Sequence, residues 1–326
     1  MGRPLLAERR SRRSSIVACA LVALCVTAAL VVLENMALAA FFPHLPRFTT
    51  DFSAAYLSRE IDAVGSGPPA TVFFGDSVLW GYRLPADEIA VSLLEARGCT
   101  CPNFSFKSGS PANDYALVRL FIARKIRPRE IVIEVNQAVL NQADTEYQTM
   151  HPAIADLAGS LLTPQERAIL TIPSTPGRLD RFASSLSLLY AMRSDIRETV
   201  FGDVAPPPAQ PLTADLFEGT YDLAPLSGKN VGVVFLEKTA GALRSAGIPA
   251  VAFLTPTNHA LLHDYIDNRQ YDNNERFMKR LLESRGVRVV DLDRAVPTKE
   301  FLDNAHLTAA GQRRLASLLD AALRRR

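Results

Sequence analysis

Five short runs of strand character, separated by segments with helical spacing, limit what this chain can fold into more than anything else in it: 71–74 (TVFF), 103–107 (NFSFK), 130–135 (EIVIEV), 248–254 (IPAVAFL) and 287–292 (VRVVDL). Between them, Pro85 with Asp87 and Glu88 opens a helix that closes at Gly98, and Leu117, Leu120, Phe121 and Ile122 mark another from about 112 to 125. Further helices are expected over about 231–245 and 274–285, and Thr308 caps a last one. Mostly apolar strands alternating with helices dictate an α/β fold. The expectation is a parallel five-stranded sheet covered by helices on both faces, with sites gathered at the carboxyl ends of the strands. A chain of 326 residues that is 48% hydrophobic has the material for one such domain plus additions.

The additions begin at the N-terminus. Residues 1–13 hold five arginines against Glu8, a local +4 within a chain total of +2, so the remainder carries −2 and does not suit a nucleic-acid-binding body. Behind the arginines, 16–33 (IVACALVALCVTAALVVL) is an uninterrupted apolar or small run, long enough at helical rise to cross a hydrocarbon core of about 30 Å. The basic cluster assigns 1–14 to a cytoplasmic tail, 15–33 to a transmembrane helix and everything after Glu34 to the far side. Ala37-Leu38-Ala39 has the form of a signal-peptide cleavage site, but the apolar run exceeds the roughly 7 to 15 residues of a signal core, which favours an uncleaved anchor.

Residues 34–69, with Pro43, Pro46 and the Gly65–Pro69 cluster, read as a linker, and 70–326 as the main folded domain. From 137 to 228 the rhythm breaks into helical pieces at 164–170 and 179–198 and a passage around Pro206, Pro207, Pro208 and Pro211. This reads as an insertion over the active face, since loops of that length are usually lids or binding elements; the plain alternative is a decoration with no substrate role. Cys19 and Cys25 are small residues inside the apolar helix. Cys99 and Cys101 could pair in an oxidising compartment, although a bridge across one residue is strained, and no cysteine spacing suggests zinc.

The chemistry concentrates at two ends of the domain. In 71–81 (TVFFGDSVLWG) a strand runs into Gly75, Asp76 and Ser77 before a helix-compatible segment, where a hydroxyl can be exposed and backbone N–H groups converge. In 303–308 (DNAHLT) Asp303 and His306 supply an acid and an imidazole three residues apart. A serine needs a base to take its proton, and the base needs an acceptor on its other nitrogen to fix its tautomer. Ser77, His306 and Asp303 can fill those roles. Donors for the oxyanion would be the Ser77 amide, the Gly109 amide and a side-chain amide such as Asn136. Asp76 reads as a turn residue capping the next helix, and Trp80 and Tyr82, beside the serine, as packing under the first helix, with a sugar-stacking platform as the alternative. Asn258 and His259, after the fourth strand, fall at the same sheet edge, as substrate-lining residues or as a plain strand-end loop.

GDSV at 75–78, Gly109 after the second strand, Asn136 after the third and DNAHLTAAG at 303–311 together resemble the successive blocks of the SGNH/GDSL hydrolase family, over about residues 70–326. The resemblance implies a three-layer, flavodoxin-like α/β/α sandwich and no metal or organic cofactor. It makes Ser77 the nucleophile, Asp303 and His306 its partners, and Gly109 and Asn136 oxyanion-hole donors. The third block departs from the family's Gly-x-Asn-Asp: this chain reads Val135-Asn136-Gln137-Ala138, with Asn141 as the fallback donor. An anchor, an extracytoplasmic body and a long insertion resemble the envelope branch of the family, whose members move acyl groups onto or off surface polymers. That branch implies an esterase or O-acyltransferase acting on an acylated carbohydrate or lipid, with a membrane-bound acyl donor protein as partner of transfer. The reading from another class is a catalytically silent binding or scaffold subunit of an envelope polysaccharide assembly.

Overall fold

Four parallel strands form the sheet in the computed structural model, which describes residues 4–140, 146–173, 177–201, 213–217 and 223–325. They are β1 (Thr71–Phe74), β2 (Glu130–Val135), β3 (Ala250–Leu254) and β4 (Arg288–Asp291), side by side in that order. Phe74 pairs with Ile133, Val135 with Leu254, and Leu254 with Asp291, so the residues that follow the strands share one edge.

The fifth strand expected at 103–107 is not formed. That segment does run beside β1, with Phe73 N–H donating to Pro102 O and Phe104 N–H to Phe73 O, but the ladder shrinks to a single bridge between Phe73 and Asn103. The cause is local. Pro102 has no N–H to give to the ladder, although Phe106 N–H still donates to Gly75 O beyond it, and the Asn103 carboxamide oxygen accepts the N–H and the hydroxyl of Ser105 on the open side.

Successive strand residues point to opposite faces, and each face has its own core. Val72, Phe74, Ile131, Ile133, Val135, Ala252 and Leu254 pack with the helices Ala54–Ser66, Pro111–Ala123 and Val231–Ala246. Phe73, Val132 and Phe253 pack with Val78 and Leu79 and with the helices Ala90–Glu95 and Ala309–Arg324. The layering is therefore helix, sheet, helix. Thr308 caps the last helix as its sequence position requires, its hydroxyl accepting from Gly311 N–H.

The N-terminal helix runs from Pro4 to Phe41 rather than ending at 33, and its Ala18–Phe41 portion is apolar enough to cross a membrane and has no fully buried residue. The following segment is not the linker its prolines suggested. Phe48, Phe52 and Tyr56 are buried in the main core; Trp80 Nε1 donates to Phe48 O at 2.7 Å, and Arg47 Nη1 donates to Gly81 O at 2.8 Å. Burial of these aromatic rings outweighs the turn signals around them.

The described part of 137–228 likewise joins the main core through Met150, Ile154, Ala158, Leu162 and Met192, because its apolar residues find the flank of the Ala54–Ser66 and Pro111–Ala123 helices. Asn141 and Pro206 to Pro208 with Pro211 lie outside the described residues. Cys99 and Cys101 are joined by a disulfide.

His151 locks the insertion to the body. Its ring stacks on Phe52 with centroids 3.8 Å apart, and its Nδ1 accepts from Ala153 N–H. Burial pushes its pKa down to about 4, so the imidazole is held neutral. The stabilisation is then fully present above the ordinary value near 6.5 and is lost as pH falls toward 4, because the unfolded chain takes the proton first; the span corresponds to about 3 kcal/mol. The asparagine in His151→Asn keeps a capping oxygen but does not titrate. In detergent, the difference in unfolding free energy between wild type and this variant should shrink between pH 7 and pH 4.5, and a flat difference would rule out a buried neutral imidazole.

Candidate active site

The turn after β1 is built around a buried carboxyl. A Cβ at Gly75 would fall 2.4 Å from Glu134 Oε2, so only glycine lets the chain pass. Glu134, near the end of β2, accepts from Asp76 N–H at 2.9 Å, from Leu79 N–H at 3.3 Å and from the Thr255 hydroxyl at 3.1 Å. Asp76 caps the short helix Ser77–Trp80, as expected: its Oδ1 accepts from Val78 N–H at 2.8 Å, and its Oδ2 accepts from Asn136 Nδ2 at 2.9 Å. Ser77 is the first residue of that helix, and its N–H has no acceptor among the described residues.

Burial raises the pKa of Asp76 and Glu134, well above the usual range for Glu134, to which the neighbouring Asp76 charge also contributes. Asp114, at the start of the Pro111–Ala123 helix, is pushed well up by burial and then by Asp76. Burial therefore favours the protonated form of Glu134 beneath the turn.

The loop after β4 brings in the other partners. His306 Nε2 lies 2.8 Å from Ser77 Oγ, and His306 Nδ1 lies 2.7 Å from Asp303 Oδ2. Asp303 Oδ1 accepts from the Ala305 and His306 amides at 3.0 and 2.8 Å. Burial alone would raise the Asp303 pKa, but the hydrogen bond and charge of His306, with those two amides, more than offset it and hold the carboxyl below its ordinary value. An ionised Asp303 selects the tautomer that leaves Nε2 free to accept the Ser77 proton. His306 keeps 20% of its side-chain exposure, so the relay is open to an incoming molecule.

Three side chains that the sequence reading did not single out, and one it left as a neighbour, hold the halves together. Gln312 accepts from Ala90 N–H and donates to Val78 O at 2.8 Å, tying the last helix to the serine's helix. Arg314 clasps Glu300 with two hydrogen bonds and steadies the start of the histidine loop. Asn258 donates through its N–H to Asn304 O and through Nδ2 to Asp303 O at 3.0 Å, so it acts as a brace for the acid loop. Its neighbour His259 turns away onto Asp293, 2.6 Å from Nε2. Trp80 is buried as packing, whereas Tyr82 leans its ring on His306 with centroids 4.5 Å apart and also carries the Arg83 guanidinium, 5.0 Å from its centroid.

The two expected oxyanion donors are both beside the turn, but neither stands free. Gly109 packs so tightly that a Cβ there would sit 2.2 Å from Gly75 O, and its N–H donates to Phe106 O at 3.0 Å. Asn136 Nδ2 donates to Asp76, while Asn136 Oδ1 accepts from Ala138 N–H. The second Nδ2 hydrogen remains for an oxyanion.

A protein-family model matches residues 228–326. No curated protein matches the sequence. Among solved structures, the chain is similar to one assigned to the lipolytic G-D-S-L family from Desulfitobacterium hafniense DCB-2, at 10% identity and TM-score 0.40 over 78% of this chain and 99% of that one. It is also similar to Est24, a carbohydrate acetylesterase from Sinorhizobium meliloti, at 10% identity and TM-score 0.43 over 79% and 99%. What the chain can do chemically is set by the Ser77–His306–Asp303 relay itself.

Proposed function

We propose that the protein is a membrane-anchored, extracytoplasmic SGNH-type serine esterase or O-acyltransferase that works through an acyl-enzyme on Ser77. One observation carries this reading: the imidazole of His306 bridges Ser77 Oγ at 2.8 Å and Asp303 Oδ2 at 2.7 Å. Ser77 Oγ attacks the acyl carbonyl while His306 Nε2 takes its proton, and Asp303 stabilises the imidazolium. The carbonyl oxygen, now an anion, is met by the Ser77 N–H and the second Asn136 amide hydrogen, with Gly109 N–H joining once it leaves Phe106 O. His306 then protonates the departing alcohol, and water or a sugar hydroxyl, deprotonated by the same imidazole, releases the acyl group.

The proposed substrate class, an acylated envelope polysaccharide or glycolipid, is supported by an apolar helix at residues 18–41 that would hold the body at a membrane. In the transferase version a membrane-bound protein supplies the acyl group. A disulfide at Cys99–Cys101 fits an oxidising compartment. A fluorophosphonate probe tests the relay: the folded protein should carry one adduct on Ser77 and the heat-denatured protein none. Absence of the adduct on folded protein would favour the silent scaffold instead.

A further inference from the structure

The helix Arg178–Leu186 leaves an apolar face uncovered. Leu179 is 85% exposed, Phe182 62% and Leu186 49%, at a spacing of three and four residues that sets them on one side, and Leu189 on the next short helix, Leu188–Ala191, is 49% exposed as well. The polar side is occupied by its own network, in which Asp180 accepts from the Tyr190 hydroxyl at 2.9 Å and from Arg193 Nη2 at 3.0 Å.

This pair of helices is hydrogen-bonded to the N-terminal helix at one level. Asn35 Nδ2 donates to Leu186 O at 2.8 Å, Asn35 Oδ1 accepts from Leu188 N–H at 2.6 Å, and Glu34 Oε1 accepts from the Ser187 hydroxyl and Leu189 N–H at 2.8 and 2.7 Å. That level is where the uninterrupted apolar run of 16–33 meets its first charged side chain. A hydrocarbon core of about 30 Å takes about 20 helical residues, and counting forward from Arg13 reaches Leu33. Glu34 and Asn35 therefore stand at the far boundary of the bilayer, and the uncovered apolar residues stand beside them.

We propose that Arg178–Leu186 and Leu188–Ala191 form a second membrane contact, lying in the plane of the outer interface with Leu179, Phe182, Leu186 and Leu189 in the lipid. This rests on the anchoring part of the proposed function, that the N-terminal helix crosses a bilayer over its uninterrupted apolar run, 16–33. A lone helix would leave the body free to swivel about it, whereas two contacts fix its height and rotation. The restraint continues to the site: in the neighbouring helix, Asp195 accepts from the Thr49 hydroxyl and Ser53 N–H, and Glu198 accepts from Thr50 N–H. The same stretch holds Trp80 and Gly81, just after Ser77, through Phe48 and Arg47. Ser77 is thereby presented at a set distance from the membrane surface, which suits an acyl donor or acceptor carried on a lipid or a membrane protein.

The test uses the full chain in phospholipid vesicles. The protein has a single, buried tryptophan, Trp80, so Phe182→Trp adds one reporter above a steady background. In vesicles whose lipids are brominated near the headgroup end of the acyl chains, about half or more of the added emission should be lost, with little further quenching by aqueous acrylamide. Added emission that ignores the bromine and is quenched by acrylamide, in protein that still floats with the vesicles, would overturn the second contact and leave the anchor standing. Protection from both quenchers with a doubled particle mass would mean that a second copy covers the face, which also overturns it. Protein that does not float would overturn the anchor and the second contact together.

Discussion

Ser77→Ala should lower kcat on a chromogenic ester by on the order of 10^4- to 10^6-fold while leaving the unfolding midpoint within error of wild type, because the hydroxyl adds little to packing. His306→Ala should cost a similar factor, and the double variant hardly more than either, since the two act as one unit. Asp303→Asn should retain the fold and lose about 10^4-fold, as an amide cannot hold the tautomer that leaves Nε2 free toward Ser77 at 2.8 Å. Initial rates on purified full-length proteins decide the matter. Turnover within tenfold of wild type in Ser77→Ala or His306→Ala would mean that the hydrolysis comes from elsewhere.

The second large effect is expected one layer below. Glu134→Ala strands the Asp76 and Leu79 amides and the Thr255 hydroxyl, three buried donors that Glu134 satisfies. At roughly 1 kcal/mol or more for each unmet group, the loss should reach about 3 kcal/mol and should loosen the serine turn, with slower fluorophosphonate labelling as the sign. Glu134→Gln should behave otherwise. Burial holds Glu134 well above the usual glutamate range, so the folded state keeps the proton where the unfolded chain has lost it. That contribution is complete below the unfolded value near 4.5 and declines as pH rises toward the folded one. Glutamine copies the protonated shape without titrating, so the variant should gain on wild type as pH rises from 5 to 8. Unfolding curves that separate in the opposite sense would mean that the buried group is a carboxylate.

Ser77, Asp303 and His306 are legible in the sequence because each announces itself locally: a strand that breaks at Gly-Asp-Ser, and an acid three residues before an imidazole at the mouth of a capped helix. Glu134 is not legible in this way. Within EIVIEV it reads as one polar position in an apolar strand, and only the pairing of Phe74 with Ile133 brings it under Gly75. Gln312 and Asn258 escape for the same reason, since an amide that braces two loops differs in no local feature from one facing water.

The strand rhythm predicts four of the five strands. The fifth shrinks to one bridge at Pro102, which has no N–H to give to the ladder. Prolines 43 and 46 misread the juxtamembrane segment because turn chemistry is visible in sequence and the burial of Phe48 and Phe52 is not.

Ser77 and His306 are 229 residues apart, joined across a sheet in which every strand pairing is non-local. At roughly 5 to 20 residues per second, synthesis of that interval takes on the order of 10 to 50 s, during which the serine exists with no base beside it. The turn at Gly75–Ser77 also lacks the Gln312 strut until the last helix arrives. On the proposed relay, Ser77 therefore has no base to activate it until the helix Ala309–Arg324 docks and sets His306 beside it.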